Sequence, residues 1–256
     1  MQNSLNTFIA LLKRELLEHK NLWRVPMVLL VIAVLLKLSL SFGNLAVNVN
    51  VPEAIPFDEA IDSVLDSAVI KALHVLNYFV MVVMFVVAIF YALSCLYDER
   101  QDDSVLFWRS LPISDAMTIT SKLFIPLVMA PLMILVCQAL NNVLFLGANA
   151  TTYLSGAFLG LSSELLKKIA WSLLPMISWC FFCSIIAKKT PFLLAFITPI
   201  LLILIDNLFF NGAVSESFII NRLTGVSQFS MFALISGVIF SAVCIAAVIF
   251  KRAQKV

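Results

Sequence analysis

Long runs of apolar residues, separated by short polar stretches, set the pattern of this sequence. Val80 to Leu93, for example, holds no charge and shows no alternation of apolar with polar positions. In hydrocarbon every backbone N–H and C=O must be satisfied within the protein, which leaves helices or a closed barrel. Barrel strands alternate over roughly ten residues. These runs do not, so they predict helices. A membrane span takes about 20 mostly apolar residues, and six segments qualify: Val25 to Phe42, Ile70 to Leu96, Leu123 to Leu146, Ile169 to Ala187, Pro191 to Phe210 and Phe229 to Phe250. The expected fold is an all-α integral membrane protein of six transmembrane helices, in one domain over residues 1–256.

The connecting segments carry patterns of their own. Ahead of the first span, Phe8, Ile9, Leu11, Leu12, Leu16 and Leu17 recur at helical spacing, with Lys13, Arg14, Glu18 and Lys20 around the remaining circumference. Residues 1–24 therefore predict an amphipathic helix lying in the membrane interface, with Trp23 as an anchor. The acidic stretch from Gly43 to Val69 holds a short surface helix over Phe57 to Leu65. Ala187 to Thr190 makes a tight turn, and Pro191 suits the first position of the next helix. Between Asn211 and Gln228, Phe218, Ile219, Ile220 and Leu223 are too few to span and predict a short interfacial or re-entrant helix.

Composition agrees: 62% hydrophobic and 12% charged residues lie far from the soluble averages of roughly 45–50% and 25%. A net charge of +2 with no basic block argues against a nucleic-acid partner. Charge speaks instead to orientation. With the N-terminus inside, twelve Lys and Arg residues fall on the cytoplasmic side and five outside. The positive-inside rule then places both termini in the cytoplasm of a bacterial inner membrane. No small-residue cleavage site follows the first apolar run, so that span is expected to stay in the mature protein. Cys95, Cys137, Cys180, Cys183 and Cys244 all lie in apolar runs, which argues against a disulfide framework. Cys180 and Cys183 form a CxxC, read either as a redox or metal pair or as small apolar filler.

Charge, aromatic residues and turn signals concentrate together between Leu96 and Phe124. Asp98, Glu99, Arg100, Asp102 and Asp103 come first, then Val105, Leu106, Phe107 and Trp108, then Arg109. That order predicts a short amphipathic helix across the inner surface, broken at Leu111-Pro112-Ile113. Ser114 follows, and Asp115 is placed to cap the helix that runs through Lys122 into the third span. Aromatic residues beside Arg109 fit a protein docking surface; the other reading is a solvated connection.

This loop resembles that of the permease subunits of type-2 ABC exporters. The resemblance rests on Asp98, Glu99, Arg100, Ser104, Ser110, Leu111, Pro112, Ser114 and Lys122, and extends to the plan of interfacial helix and six spans. It implies that residues 97–122 form a coupling helix between spans 2 and 3. Asp98, Glu99, Arg100, Asp102, Asp103, Phe107, Trp108, Arg109, Leu111 and Pro112 would then contact a separate ATP-binding subunit. It further implies two copies of that subunit, a second permease chain in a homo- or heterodimer, and an N-terminal elbow helix. The sequence has no GxxxxGK[ST] phosphate loop, so ATP and Mg are expected on the partner, with no cofactor, metal or catalytic residue on this chain. Two rivals remain. A membrane anchor could recruit an ATPase without moving a solute, and an intramembrane enzyme would need a catalytic set beyond His19 and His74.

Polar residues inside the spans form a second candidate set. Lys37 lies about twelve residues, or about 18 Å, into the first span. His74 and Asn77 open the second, Gln138, Asn141 and Asn142 fall late in the third, and Asp206 late in the fifth. Lys37, His74, Asn77, Gln138, Asn141 and Asp206 read as the lining of an outward vestibule, with Lys37 and Asp206 paired. The alternatives are a snorkelling Lys37 and an Asp206 that closes its helix end. The spans are dry over Val80 to Ala88 and Leu127 to Val136, which suits an amphiphilic substrate taken from the inner leaflet together with membrane lipid. Pro126, Pro131, Pro175 and Pro199 are positioned to kink their spans.

Overall fold

The computed structural model describes residues 2–42, 57–102, 114–147, 169–212, 215, 219 and 231–254. Helix α1 (Gln2–Glu18) ends one turn before α2 (Asn21–Phe42), and the His19 amide still donates to the Glu15 carbonyl. Helix α3 (Phe57–Gln101) runs unbroken for 45 residues. The sequence pattern predicts a surface helix over Phe57 to Leu65 and a separate span from Ile70; the two are one helix. No Gly or Pro occurs between Phe57 and Gln101, so nothing in the chain interrupts the hydrogen-bond ladder.

The third span is α4 (Asp115–Phe124), a π turn (Ile125–Met129) and α5 (Ala130–Leu146) in direct succession. Its N-cap is Ser114, whose hydroxyl accepts from the Met117 amide at 3.3 Å. Asp115, expected as the cap, is the first helical residue instead. The π turn contains Pro126 and adjoins Pro131. Each proline removes an N–H and crowds the carbonyl four residues back, and the wider π register absorbs both. The same pairing recurs where a π turn (Ile169–Leu173) precedes Pro175 in α6 (Leu174–Ile186).

Helix α7 (Pro191–Phe209) starts on proline, as expected, and α8 (Met231–Gln254) is the last. Among the described residues five helices are long and apolar enough to cross a membrane: Asn21–Ser39, Ala72–Gln101, Asp115–Leu146, Pro191–Phe209 and Ala233–Gln254. The segment expected as the fourth span is a shorter apolar helix, Trp171–Ile186. The described residues are thus those of a helical, multi-pass membrane protein.

The helices pack as two compact units. One comprises the described parts of residues 1–20, 87–131 and 163–256. In it α6 packs against α8 and α7, and α4 against α1 and α8, around Ile119, Ile125, Ile177, Phe181, Cys183 and Val248. The Trp179 indole donates to the Ala195 carbonyl at 3.2 Å and the Ser184 hydroxyl to the Leu93 carbonyl at 2.8 Å. The other comprises the described parts of residues 21–86 and 132–162, with Leu29, Ala33, Leu73, Val80, Met84, Ile134 and Cys137 buried.

Candidate functional site

A charged residue on an apolar helix face must find a partner when that face packs. Glu15 shares the stripe of Phe8, Leu11 and Leu12 on α1, and at 1% exposure it is as buried as the core leucines. Its carboxylate takes the Lys122 ammonium at 2.7 Å and the Tyr91 hydroxyl at 3.2 Å. Lys122, also 1% exposed, reaches Glu99 as well, at 3.1 Å. Glu99 sits at the last turn of α3 and accepts three cations: Lys122, Arg14 at 3.1 Å and Arg252 at 3.2 Å. Arg252, in the last turn of α8, turns its Nε to Asp115 at 3.1 Å. Three cations (Arg14, Lys122, Arg252) thus meet three carboxylates (Glu15, Glu99, Asp115).

Four chain segments are fastened by these ions: α1, the end of α3, the start of α4 and the end of α8. Asp115 lies in the first turn of its helix and Arg252 in the last turn of its own, so both helix dipoles favour the charges placed there. At the rim, His19 packs edge-on against Tyr91 with ring centroids 4.7 Å apart. Burial holds its imidazole below the ordinary histidine range, against the pull of Glu15.

The sequence-predicted coupling residues divide. Glu99 is at the centre of this cluster rather than on a free surface. Arg100 donates to the carbonyls of Ile185 and Ala187. Asp98 and Asp102 are exposed at the end of α3. Asp103, Phe107, Trp108, Arg109, Leu111 and Pro112 lie outside the described residues. Of the cluster's other members, sequence reasoning placed Arg14 on a polar helix face, Asp115 at a cap and Lys122 in the resemblance, and passed over Glu15 within its leucine stripe.

The vestibule set also divides. In the second unit, Asn77, Gln138 and Asn141 are drawn together with Asn142, all buried. The Asn77 side chain donates to Asn142 at 3.0 Å and accepts from Asn141 at 3.3 Å, while Gln138 donates to the Asn77 carbonyl at 3.3 Å. This is an amide cluster between two spans, the form polar residues take where lipid offers no alternative partner. Gln138 Oε1, Asn141 Oδ1 and Asn142 Nδ2 are buried without a partner among the described residues. Lys37 donates to the Leu144 carbonyl, and His74 is exposed.

Asp206 closes its helix, the second of its two readings. Its backbone carbonyl accepts from the amides of Phe210 and Gly212, and its carboxylate from the Ser215 amide at 2.6 Å. Gly212 has φ +78, the left-handed backbone that favours glycine at a helix C-terminus.

Compared with known proteins, the chain matches no family model, no curated protein and no solved structure.

Removing one partner of a buried ion pair strands the other. Lys122→Met should therefore lose about 3–5 kcal/mol of unfolding free energy in detergent micelles, and adding Glu15→Gln should recover part of it. A loss under about 1 kcal/mol would mean that the cluster is wet and weakly coupled. Asn77→Leu should cost about 1–3 kcal/mol by orphaning Asn141 and Asn142, read by the same unfolding measurement; a stabilised variant would contradict the assigned hydrogen bonds.

Proposed function

We propose that the chain is the transmembrane subunit of an ATP-driven ABC exporter in the bacterial inner membrane. On this reading it has six spans with both ends in the cytoplasm, works as a dimer, and moves an amphiphilic substrate with energy from a separate ATP-binding subunit. The observation that carries the reading is the ion cluster on either side of residues 103–113. A docking segment transmits force only if the helices at its two ends are held. Here Glu99 at the end of α3 pairs with Arg14 of α1, Arg252 of α8 and Lys122 in the last turn of α4, and Asp115 at the start of α4 pairs with Arg252.

The type-2 permease resemblance supplies the partner for that segment. Phe107, Trp108 and Arg109 are residue types that anchor protein interfaces. In this reading α1 is the elbow, and a push on the segment reaches both neighbouring spans as one displacement. Support for a second copy comes from the apolar faces of α7 and α8, where Leu201, Leu204, Leu208, Ile239 and Val243 are exposed. Such faces meet lipid or another subunit.

Tagged chain extracted from its native membrane should bring down an ATPase of the ABC type. Arg109→Glu and Trp108→Ala should each abolish that recovery at an unchanged membrane level of the chain. Full recovery with both variants would overturn the assignment of the segment as the docking site.

A further inference from the structure

The end of α3 does more than hold the ion cluster. On the side away from Glu99, Tyr97 and Arg100 wrap the turn between α6 and α7. Arg100 donates to the carbonyls of Ile185, in the last turn of α6, and of Ala187, its C-cap, and Tyr97 donates to that of Lys189. The Arg100 guanidinium also lies over the Tyr97 ring, 5.6 Å from its centroid. These bonds use only backbone atoms of the turn. Exposed Lys188 and Lys189 line a cleft of about 360 Å³ together with Tyr97, Arg100 and Gln101. That is within the size of small-ligand sites, about 300–1,000 Å³. Three cations line the cleft and its lining includes no acid. Neither lysine has a carboxylate partner among the described residues. Oxyanions are the chemistry such a cleft selects.

The position of the cleft narrows the source of the anion. Lys188 and Lys189 sit where two apolar helices leave the hydrocarbon, and the chain re-enters at Pro191 and Phe192. Immediately below the turn, Phe192 stacks on Phe90 with centroids 5.5 Å apart and touches Phe196 at 4.6 Å. All three are more than a third exposed. Phe90 lies seven residues before Tyr97 on α3, about 10 Å along the helix. Along the helices that leave the turn, the cations are therefore followed within about two helical turns by exposed aromatic rings. A free phosphate would use only the first, and an acidic protein surface would have no use for the second.

We propose that this cleft binds the phosphate headgroup of an anionic phospholipid, with an acyl chain against Phe90, Phe192 and Phe196. Basic pockets between helix ends at a membrane surface are suited to such headgroups. The inference needs a membrane-spanning chain and nothing of the ATPase reading, so either stands if the other fails.

The full-length protein, purified in mild detergent, is offered phosphatidylglycerol or phosphatidylcholine and weighed intact by native mass spectrometry. The wild-type chain should retain phosphatidylglycerol in preference to phosphatidylcholine. Lys188→Gln with Lys189→Gln should reduce that retention roughly tenfold or more, and because the turn is held through backbone carbonyls the variant should keep the wild-type melting temperature. Phe192→Ala should weaken retention while preserving headgroup preference. Equal retention by wild type and the lysine variant would overturn the site. So would equal retention of the two lipids, or displacement of the lipid by millimolar inorganic phosphate, which would assign the cleft to a free anion. Loss of a co-purifying protein in the lysine variant, with lipid retention unchanged, would assign it to a protein surface.

Discussion

Glu99 carries a negative charge into a place where water scarcely reaches, and much of the arrangement around it follows from what that requires. An unpaired carboxylate there would cost several kcal/mol after any relaxation. Lys122, Arg14 and Arg252 converge on it from three other segments, and Glu15 and Asp115 take the charge left over. Apolar packing alone would let these helix ends slide, because between apolar surfaces in lipid there is little to choose one register over another. Directional, mutually dependent ion pairs remove that freedom. Their contribution lies in specifying one arrangement of the ends rather than in adding net stability.

The amide cluster of Asn77, Gln138, Asn141 and Asn142 serves the second unit in a similar way, with hydrogen bonds in place of charges. Between these fixed points the spans change register at two of their prolines. Pro126 and Pro175 coincide with or follow π turns, whose wider register accommodates the missing N–H groups, whereas Pro26 and Pro199 stand inside α-helix. A chain with pinned helix ends and locally softened spans suits a part that receives motion at one surface and passes it inward, which is the role proposed for it.

Helix positions were legible because hydrophobic run length answers directly to bilayer thickness. Prolines and the Ser114 cap region marked starts that the structure keeps within a residue or two. The single helix over Phe57–Gln101 was misread as two because acidity at Asp58, Glu59, Asp62 and Asp66 signals exposure, which does not break a helix. The polar residues were legible, but their hydrogen-bond partners were not. Lys37, Asn77, Gln138, Asn141 and Asp206 share similar depths in their spans, and depth alone reads as one vestibule. Which residues meet depends on helix rotation, and that is set by packing over long sequence separations. Glu15 and Lys122 stand 107 residues apart, and neither local spacing nor composition relates them.

The central claim is that Glu99 fastens four chain segments at once. Hydrogen–deuterium exchange of Glu99→Gln in detergent tests it most directly. Losing the charge at one residue should raise exchange together in α1, the last turn of α3, the first turn of α4 and the last turn of α8, while the amide-clustered unit keeps its protection. Faster exchange confined to the end of α3, with the other three segments as protected as in the wild type, would contradict the account.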